Sequence, residues 1–247
     1  MKKIIETTII ENAKVTNDIY KLIVRADIEA EPGQFVQVRL PSNEFTLRRP
    51  LGIASIGNEQ LTMFYRIVGQ GTQFLSTCKA EDQINIIAPL GNSFNFDIEK
   101  ILLVGGGLGL APLLLAAQKS ESADVLIGGK NIDEALFWKN EFSKLVDDIF
   151  ITTDDGSYAH HGFVTDIMPD ILKDNHYDKI LTCGPEIMMR NVADIARKNN
   201  IPCQVSLEKR MACGLGACLS CSVDTINGRR KICKDGPIFN AEEVFYV

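Results

Sequence analysis

The chain has 247 residues, 45% of them hydrophobic and 23% charged, with a formal net charge of -6. This is the composition of a globular protein, and the length suits two domains better than one. The acidic balance argues against a nucleic-acid surface, which needs clustered positive charge, and no apolar run approaches the roughly 18 residues of a membrane span.

Lys2-Lys3-Ile4-Ile5-Glu6 opens a strand-like alternation and lacks the apolar core of a signal peptide, so a cytoplasmic protein is expected. Short strands follow at Ile19 to Val24, Gln34 to Leu40, Leu61 to Val68 and Gln83 to Ile87, with a Glu31-Pro32-Gly33 turn between the first two. Helical periodicity is brief here, near Thr72 to Lys79, and Pro89-Leu90-Gly91-Asn92 ends the region. Closely spaced strands with Pro and Gly punctuation predict a small antiparallel β barrel. Within it, Arg48-Arg49-Pro50 puts two arginines at a strand edge, a pattern suited to a diphosphate, although two surface arginines would look the same.

From Ile101 onward, apolar runs alternate with helical segments. The strands are Ile101 to Val104, Val125 to Ile127, Ile149 to Thr153 and Lys179 to Cys183; the helices are Leu108 to Gln118, Asp133 to Leu145, Val164 to Leu172 and Pro185 to Asn199. Buried strands alternating with helices predict a doubly wound parallel sheet, so the fold class is a β barrel plus α/β. The first strand runs into Gly105-Gly106-Gly107-Leu108-Gly109, a glycine turn that opens a helix and lets a dinucleotide phosphate approach the backbone. Cys183-Gly184-Pro185 ends another strand and opens another helix, at the carboxyl edge where such sheets collect ligands. A tight turn and a buried cysteine would explain each motif singly; together they favour a nicotinamide site. Gly128-Gly129-Lys130-Asn131 offers no acidic residue for a ribose hydroxyl, so the residues do not separate NAD from NADP. His160, His161 and His176 have no partners at metal or triad spacing and read as solvated, whereas Trp138, Met188 and Met189 read as core.

Near Ser206 glycine, cysteine and turn residues replace periodicity. Of the seven cysteines, four crowd into the last 35 residues: Cys213-x4-Cys218-x2-Cys221, then Cys233 after eleven more. That is the plant-type 2Fe-2S spacing, and the small residues between the ligands let backbone N–H groups aim at sulfur. Four thiolates also suit structural zinc, but zinc usually takes two Cys-x2-Cys pairs and this chain has one.

A flavin-type arginine motif, a glycine turn, a Cys-Gly-Pro segment and a plant-type cluster, in that order, resemble the ferredoxin reductase-like electron transfer subunit of type B dihydroorotate dehydrogenase. The resemblance covers nearly the whole chain. Arg48-Arg49-Pro50-Leu51 is similar to the family's Arg-Arg-Pro-Ile flavin segment, Tyr65-Arg66-Ile67-Val68 to its second flavin strand, and Gly71-Thr72 to the turn that follows. Thr153-Asp154-Asp155-Gly156-Ser157 and Ser206-Leu207-Glu208 through Cys221 resemble further family motifs. Gly52 departs from the family's serine, so a hydroxyl is missing beside the expected flavin ring.

The resemblance implies FAD in residues 1–97, NAD in 98–206 and the cluster in 207–247. It also implies an FMN-containing catalytic subunit that oxidises dihydroorotate for pyrimidine biosynthesis, joined as a heterotetramer of two of each subunit. The chemistry is consistent: nicotinamide exchanges a hydride and the cluster single electrons, so a flavin belongs between them. No acid–base residue for oxidising a carbon acid is apparent, and no catalytic side chain is assigned. Two other readings stand beside this one: a flavin and iron-sulfur subunit of an NAD(P)H:ferredoxin oxidoreductase or sulfide dehydrogenase, and a non-catalytic zinc-binding scaffold.

Overall fold

The computed structural model describes residues 2–95 and 100–246. The expected boundary between residues 97 and 98 lies outside them.

The N-terminal part forms β1 (Lys3–Lys14), β2 (Ile19–Arg25), β3 (Phe35–Arg39), β4 (Arg49–Gly57), β5 (Gln60–Arg66), a short helix α1 (Gln70–Leu75) and β6 (Gln83–Leu90). The six strands close into a barrel in the order β1-β2-β5-β4-β3-β6, every pair antiparallel. Period-2 alternation sets each strand's inner face. On β3, Val36 and Val38 enter the barrel core with Leu22, Val24, Ile84 and Ile86. Phe35 and Gln37 take the opposite parity, and Phe35 joins a different core outside the barrel. β4 gave no clear strand signal because Pro50 and Gly52 are depleted from strands; Pro50 is accommodated because it stands second in the strand.

The second part alternates β7 (Ile101–Gly106), a 3-10 turn (Gly107–Leu110), α2 (Ala111–Lys119), β8 (Ala123–Gly129), α3 (Ile132–Phe142), β9 (Ile149–Thr153), the two-residue β10 (His160–His161), α4 (Val164–Asp174), β11 (Lys179–Cys183), α5 (Glu186–Lys198) and β12 (Cys203–Ser206). β7 is apolar throughout its first four residues because both faces are covered: Ile101 and Leu103 face α2 and α3, while Leu102 and Val104 face α4 and α5. Trp138 is fully buried on the first of these faces, as expected of a core residue, whereas His160 and His161 are exposed.

The C-terminal segment adds a hairpin of β13 (Ser222–Thr225) and β14 (Gly228–Lys231), then α6 (Ile232–Asp235), β15 (Ile238–Asn240) and α7 (Ala241–Phe245). β15 pairs antiparallel with β12, so the full sheet runs β10-β9-β8-β7-β11-β12-β15. The segment is therefore anchored to its neighbours. Its core draws Phe35 and Leu90 from the barrel and Met189 from α5 around Cys221, Ile232, Cys233 and Phe239. Among the described residues, no helix is long and apolar enough to cross a membrane.

Candidate functional site

A cavity of about 890 Å³ lies between the barrel, the start of α2 and residues 206–211. Of the residues expected around a flavin, Arg48, Arg49, Pro50, Leu51, Gly52, Tyr65, Arg66, Val68, Gly71 and Thr72 line it; Ile67 does not. The three arginines are not equivalent. Arg48 donates through Nη1 to the carbonyls of Gln37 and Asn85, both at 3.2 Å, and through Nη2 to Asn85 Oδ1, so its guanidinium braces β3 and β6. Arg66 is held by carboxylates: Nη2 lies 2.6 Å from Glu134 Oε1, and Nε lies 2.7 Å from Asp18 Oδ2 but off the hydrogen-bond line, an ionic contact.

Among the described residues, Arg49 has only the Leu47 carbonyl as acceptor for its guanidinium, and it lies over the Phe45 ring, 5.1 Å from its centroid. Its guanidinium rests directly on Gly71, where any Cβ would overlap it. A planar cation facing the cavity beside helix α1 suits a diphosphate. Thr72 Oγ1 accepts from the N–H groups of Val68 (2.9 Å) and Gly69 (3.3 Å), which fixes the turn that presents Gly71. Tyr65 donates to Asn12 Oδ1 at 2.9 Å and stacks on Tyr20, and burial pushes its hydroxyl pKa up. At Gly52 a Cβ would meet only Pro112, at 3.5 Å or more, so the missing hydroxyl reflects no lack of space.

A second cavity of about 590 Å³ opens at the carboxyl edge of the sheet. Gly106, Gly107, Gly109, Gly184 and Pro185 line it; Gly105 and Cys183 do not. Gly106, Gly128 and Thr152 are adjacent across three parallel strands, with Gly184 beside Gly106 on the other side, and Met188, Pro185 and Val164 pack directly on the main chain of these glycines. Gly109 packs on the main chain of Cys183 and Gly184, and Gly105 packs under Leu110 and Leu113. The Cys183 thiol is buried beside Ser206; burial, then the nearby Glu208 carboxylate, pushes its pKa up. Met188, expected in the core alone, also reaches into this cavity.

The Gly128-Gly129-Lys130-Asn131 segment itself offers no acidic residue. The fold supplies Glu134 and Asp154, from α3 and the end of β9. Glu134 is taken by Arg66 and the Lys130 N–H, whereas Asp154 faces the cavity with its pKa raised by burial and then by Glu134 and Asp155. The Thr153-Asp154-Asp155-Gly156-Ser157 motif was the available signal for it. Glu208, also unassigned from sequence, lines both cavities with Arg66 and Leu108, so the two spaces meet there. Its side chain opens onto these cavities, and desolvation by the surrounding protein raises its pKa.

The four C-terminal cysteines come together as two pairs. Cys213 lies beside Cys218 and Cys221 beside Cys233, and Cys213 also lies close enough to act on Cys233 electrostatically. Two irons taking two thiolates each require such a division. Positive φ at Gly214, Gly216 and Leu219 curls the loop so that N–H groups point inward. Leu215 N–H donates to Cys213 Sγ at 3.4 Å, and Cys233 N–H to Cys221 Sγ at 3.4 Å. Burial works against the Cys213 thiolate, but N–H donors from Leu215, Cys218 and Ala217 outweigh it and bring the pKa down to about 6. Burial, then Cys221, pushes Cys233 up to about 12. Among the described residues, no three or more Cys, His, Asp or Glu converge on one point as a single-ion site. The donor set fits an iron-sulfur cluster: four thiols, two by two, with inward N–H donors.

Residues 208–245 match the family model of the iron-sulfur cluster binding domain of dihydroorotate dehydrogenase B. The chain is 41% identical over 238 residues to the electron transfer subunit of dihydroorotate dehydrogenase B (NAD(+)) from Clostridium acetobutylicum, covering 95% of this chain and 94% of that one. The same subunit from Caldanaerobacter subterraneus is 32% identical, over 96% and 97% of the two chains. Among solved structures, one reported for the NADH-dependent reduced ferredoxin-NADP oxidoreductase superimposes with a TM-score of 0.88 at 32% identity, over 96% of this chain and 89% of that one. A ferredoxin NADP+ reductase from Neisseria gonorrhoeae, 14% identical with a TM-score of 0.66 over 79% of this chain and 91% of that one, shares the fold.

Proposed function

Because the chain belongs to the electron transfer subunits of NAD(+)-linked dihydroorotate dehydrogenase B, we infer that it carries electrons between a dihydroorotate-oxidising partner and NAD, using FAD and a 2Fe-2S cluster. Bound flavin would exchange a hydride with the dinucleotide and single electrons with the cluster. The observation that carries this reading is the order of the three sites. The dinucleotide cavity opens into the flavin cavity at Arg66, Leu108 and Glu208, and the flavin cavity's wall continues through Lys209, Arg210 and Met211 into Cys213.

Each site has its own holding residues. Arg49 grips the flavin diphosphate, and the Gly106–Gly109 turn takes the dinucleotide phosphates on backbone N–H groups. Asp154 accepts from ribose hydroxyls and disfavours an added phosphate, consistent with NAD. Cys213, Cys218, Cys221 and Cys233 hold the cluster. The partner is an FMN-containing catalytic subunit, two of each chain forming a heterotetramer in the cytoplasm.

The test follows two reactions with the purified chain, alone and with the partner. The lone chain is expected to oxidise NADH with an artificial acceptor and to make no orotate; orotate formation at the rate of the complex would end the subunit reading. The likeness to the NADH-dependent ferredoxin-NADP oxidoreductase structure favours a second reading, a flavin and iron-sulfur subunit that serves ferredoxin. Reduction by ferredoxin in place of the dihydroorotate-oxidising subunit would select it.

A further inference from the structure

Gln37 is fully buried on β3, with its side chain outside the barrel core. Its Nε2 lies 3.7 Å from Met211 Sδ, a weak contact, and its Oε1 is buried with no partner among the described residues. The same amide abuts the cluster loop: a Cβ on Gly214 would fall 2.6 Å from Nε2 and 2.8 Å from Cδ. Met211 lines the flavin cavity and Gly214 follows Cys213. One amide therefore bridges the flavin wall and the loop that carries three of the cysteines.

As a packing element this amide is poor. A buried carbonyl without a donor is destabilising, and an unbranched apolar side chain of similar volume would fill the space without that penalty. What an amide offers here is a proton: Nε2 carries two, and a thioether is a weak acceptor for one of them. N–H donors to cluster sulfur stabilise the reduced, more negative state and so raise the reduction potential.

We propose that Gln37 is a tuning residue whose Nε2, packed against the loop that follows Cys213, donates to cluster sulfur and holds the cluster's potential up. This rests on the electron-transfer reading above. It adds a control on the single-electron step that comes from the barrel, outside the cysteine segment.

The experiment uses the full-length holoprotein and two variants, Gln37→Met and Gln37→Leu, which keep most of the volume and lose the donor. Iron, sulfide and FAD contents are measured first, then the cluster potential by redox titration read by electron paramagnetic resonance. The expected result is full cofactor content in at least one variant, thermal stability equal to or above the parent, and a cluster potential shifted to more negative values with altered g-values. A fully loaded variant with unchanged potential overturns the proposal and leaves the electron-transfer reading intact. Variants that fold without iron also overturn it, making Gln37 an anchor for the loop. Parent protein without iron and sulfide would overturn the underlying reading as well.

Discussion

Arg49 and Arg48 are neighbours in sequence with different duties, because Arg48 is engaged by the Gln37 and Asn85 carbonyls while Arg49 rests on Gly71. Arg49→Ala removes the cation that rests on Gly71, and FAD affinity is expected to fall by about 2 kcal/mol, the scale of a charge-assisted hydrogen bond. Arg48→Ala instead leaves the Gln37 and Asn85 carbonyls without their donor, so it lowers the unfolding temperature more than it weakens FAD binding. Flavin fluorescence titration and thermal melts of both variants check the division, and flavin release confined to Arg48→Ala would reverse it. At Glu208, burial raises the carboxyl pKa above its ordinary value of 4.5. Its stabilising contribution is fully present below the unfolded pKa and is lost as pH rises through the raised folded value. Glu208→Gln, which stays uncharged, should gain melting temperature over the parent as pH rises from 5 to 8; a constant difference would remove Glu208 as the source. Neither the Arg48/Arg49 division nor the burial of Glu208 is readable from the sequence, where each residue is one more charge in a motif.

The glycine turn shows how elements, more than single residues, make the cavity at the carboxyl edge of the sheet. Gly109 must lack a Cβ because the turn after β7 packs on the main chain at the end of β11, and backbone cannot swing aside as a side chain can. Gly109→Ala is therefore expected to destabilise the fold by roughly 1–3 kcal/mol, the usual cost of overpacking, and to weaken NADH binding while FAD stays bound. Gly52 is the contrasting case, since the space around it is open toward Pro112. Gly52→Ser should fold with equal or slightly higher melting temperature, as a strand glycine is costly, and keep its flavin. Calorimetry with FAD and NADH titrations of both variants separates a glycine required by close approach from one that is merely present. The sequence marked the first site through its cluster of glycines beside a strand, but no local pattern tells which of them is crowded.

At the scale of the molecule, Arg66 ties the barrel to α3 of the sheet through Glu134, while its ion pair with Asp18 stays within the barrel. Glu134 is almost wholly buried and Arg66 partly so; removing the cation leaves a buried carboxylate without its charged partner. Arg66→Ala should cost roughly 3 kcal/mol, the lower end for breaking a buried pair. Because the tie crosses between cavities, the larger effect is expected on the rate of flavin reduction by NADH, with FAD content unchanged. Stopped-flow reduction beside calorimetry checks this, and Glu134→Gln should reproduce part of the rate effect. A variant that reduces its flavin at the parent rate would leave Arg66 a purely structural strut.

Regularities of one segment were legible in the chain itself: the spacing of Cys213, Cys218, Cys221 and Cys233, the apolar run of β7, and the period-2 strands of the barrel. These follow from covalent spacing and backbone periodicity, which a sequence carries directly. Less visible was β4, because Pro50 and Gly52 are residues depleted from strands. The meeting of residues far apart was decided by tertiary structure alone. Packing directions brought Gln37 against Met211, Arg66 against Glu134 and β15 onto β12, and set the Cys183 thiol beside Ser206, outside both cavity linings. Such contacts depend on which face each element buries and how the layers stack, quantities fixed by the whole core and encoded in no single stretch of the chain.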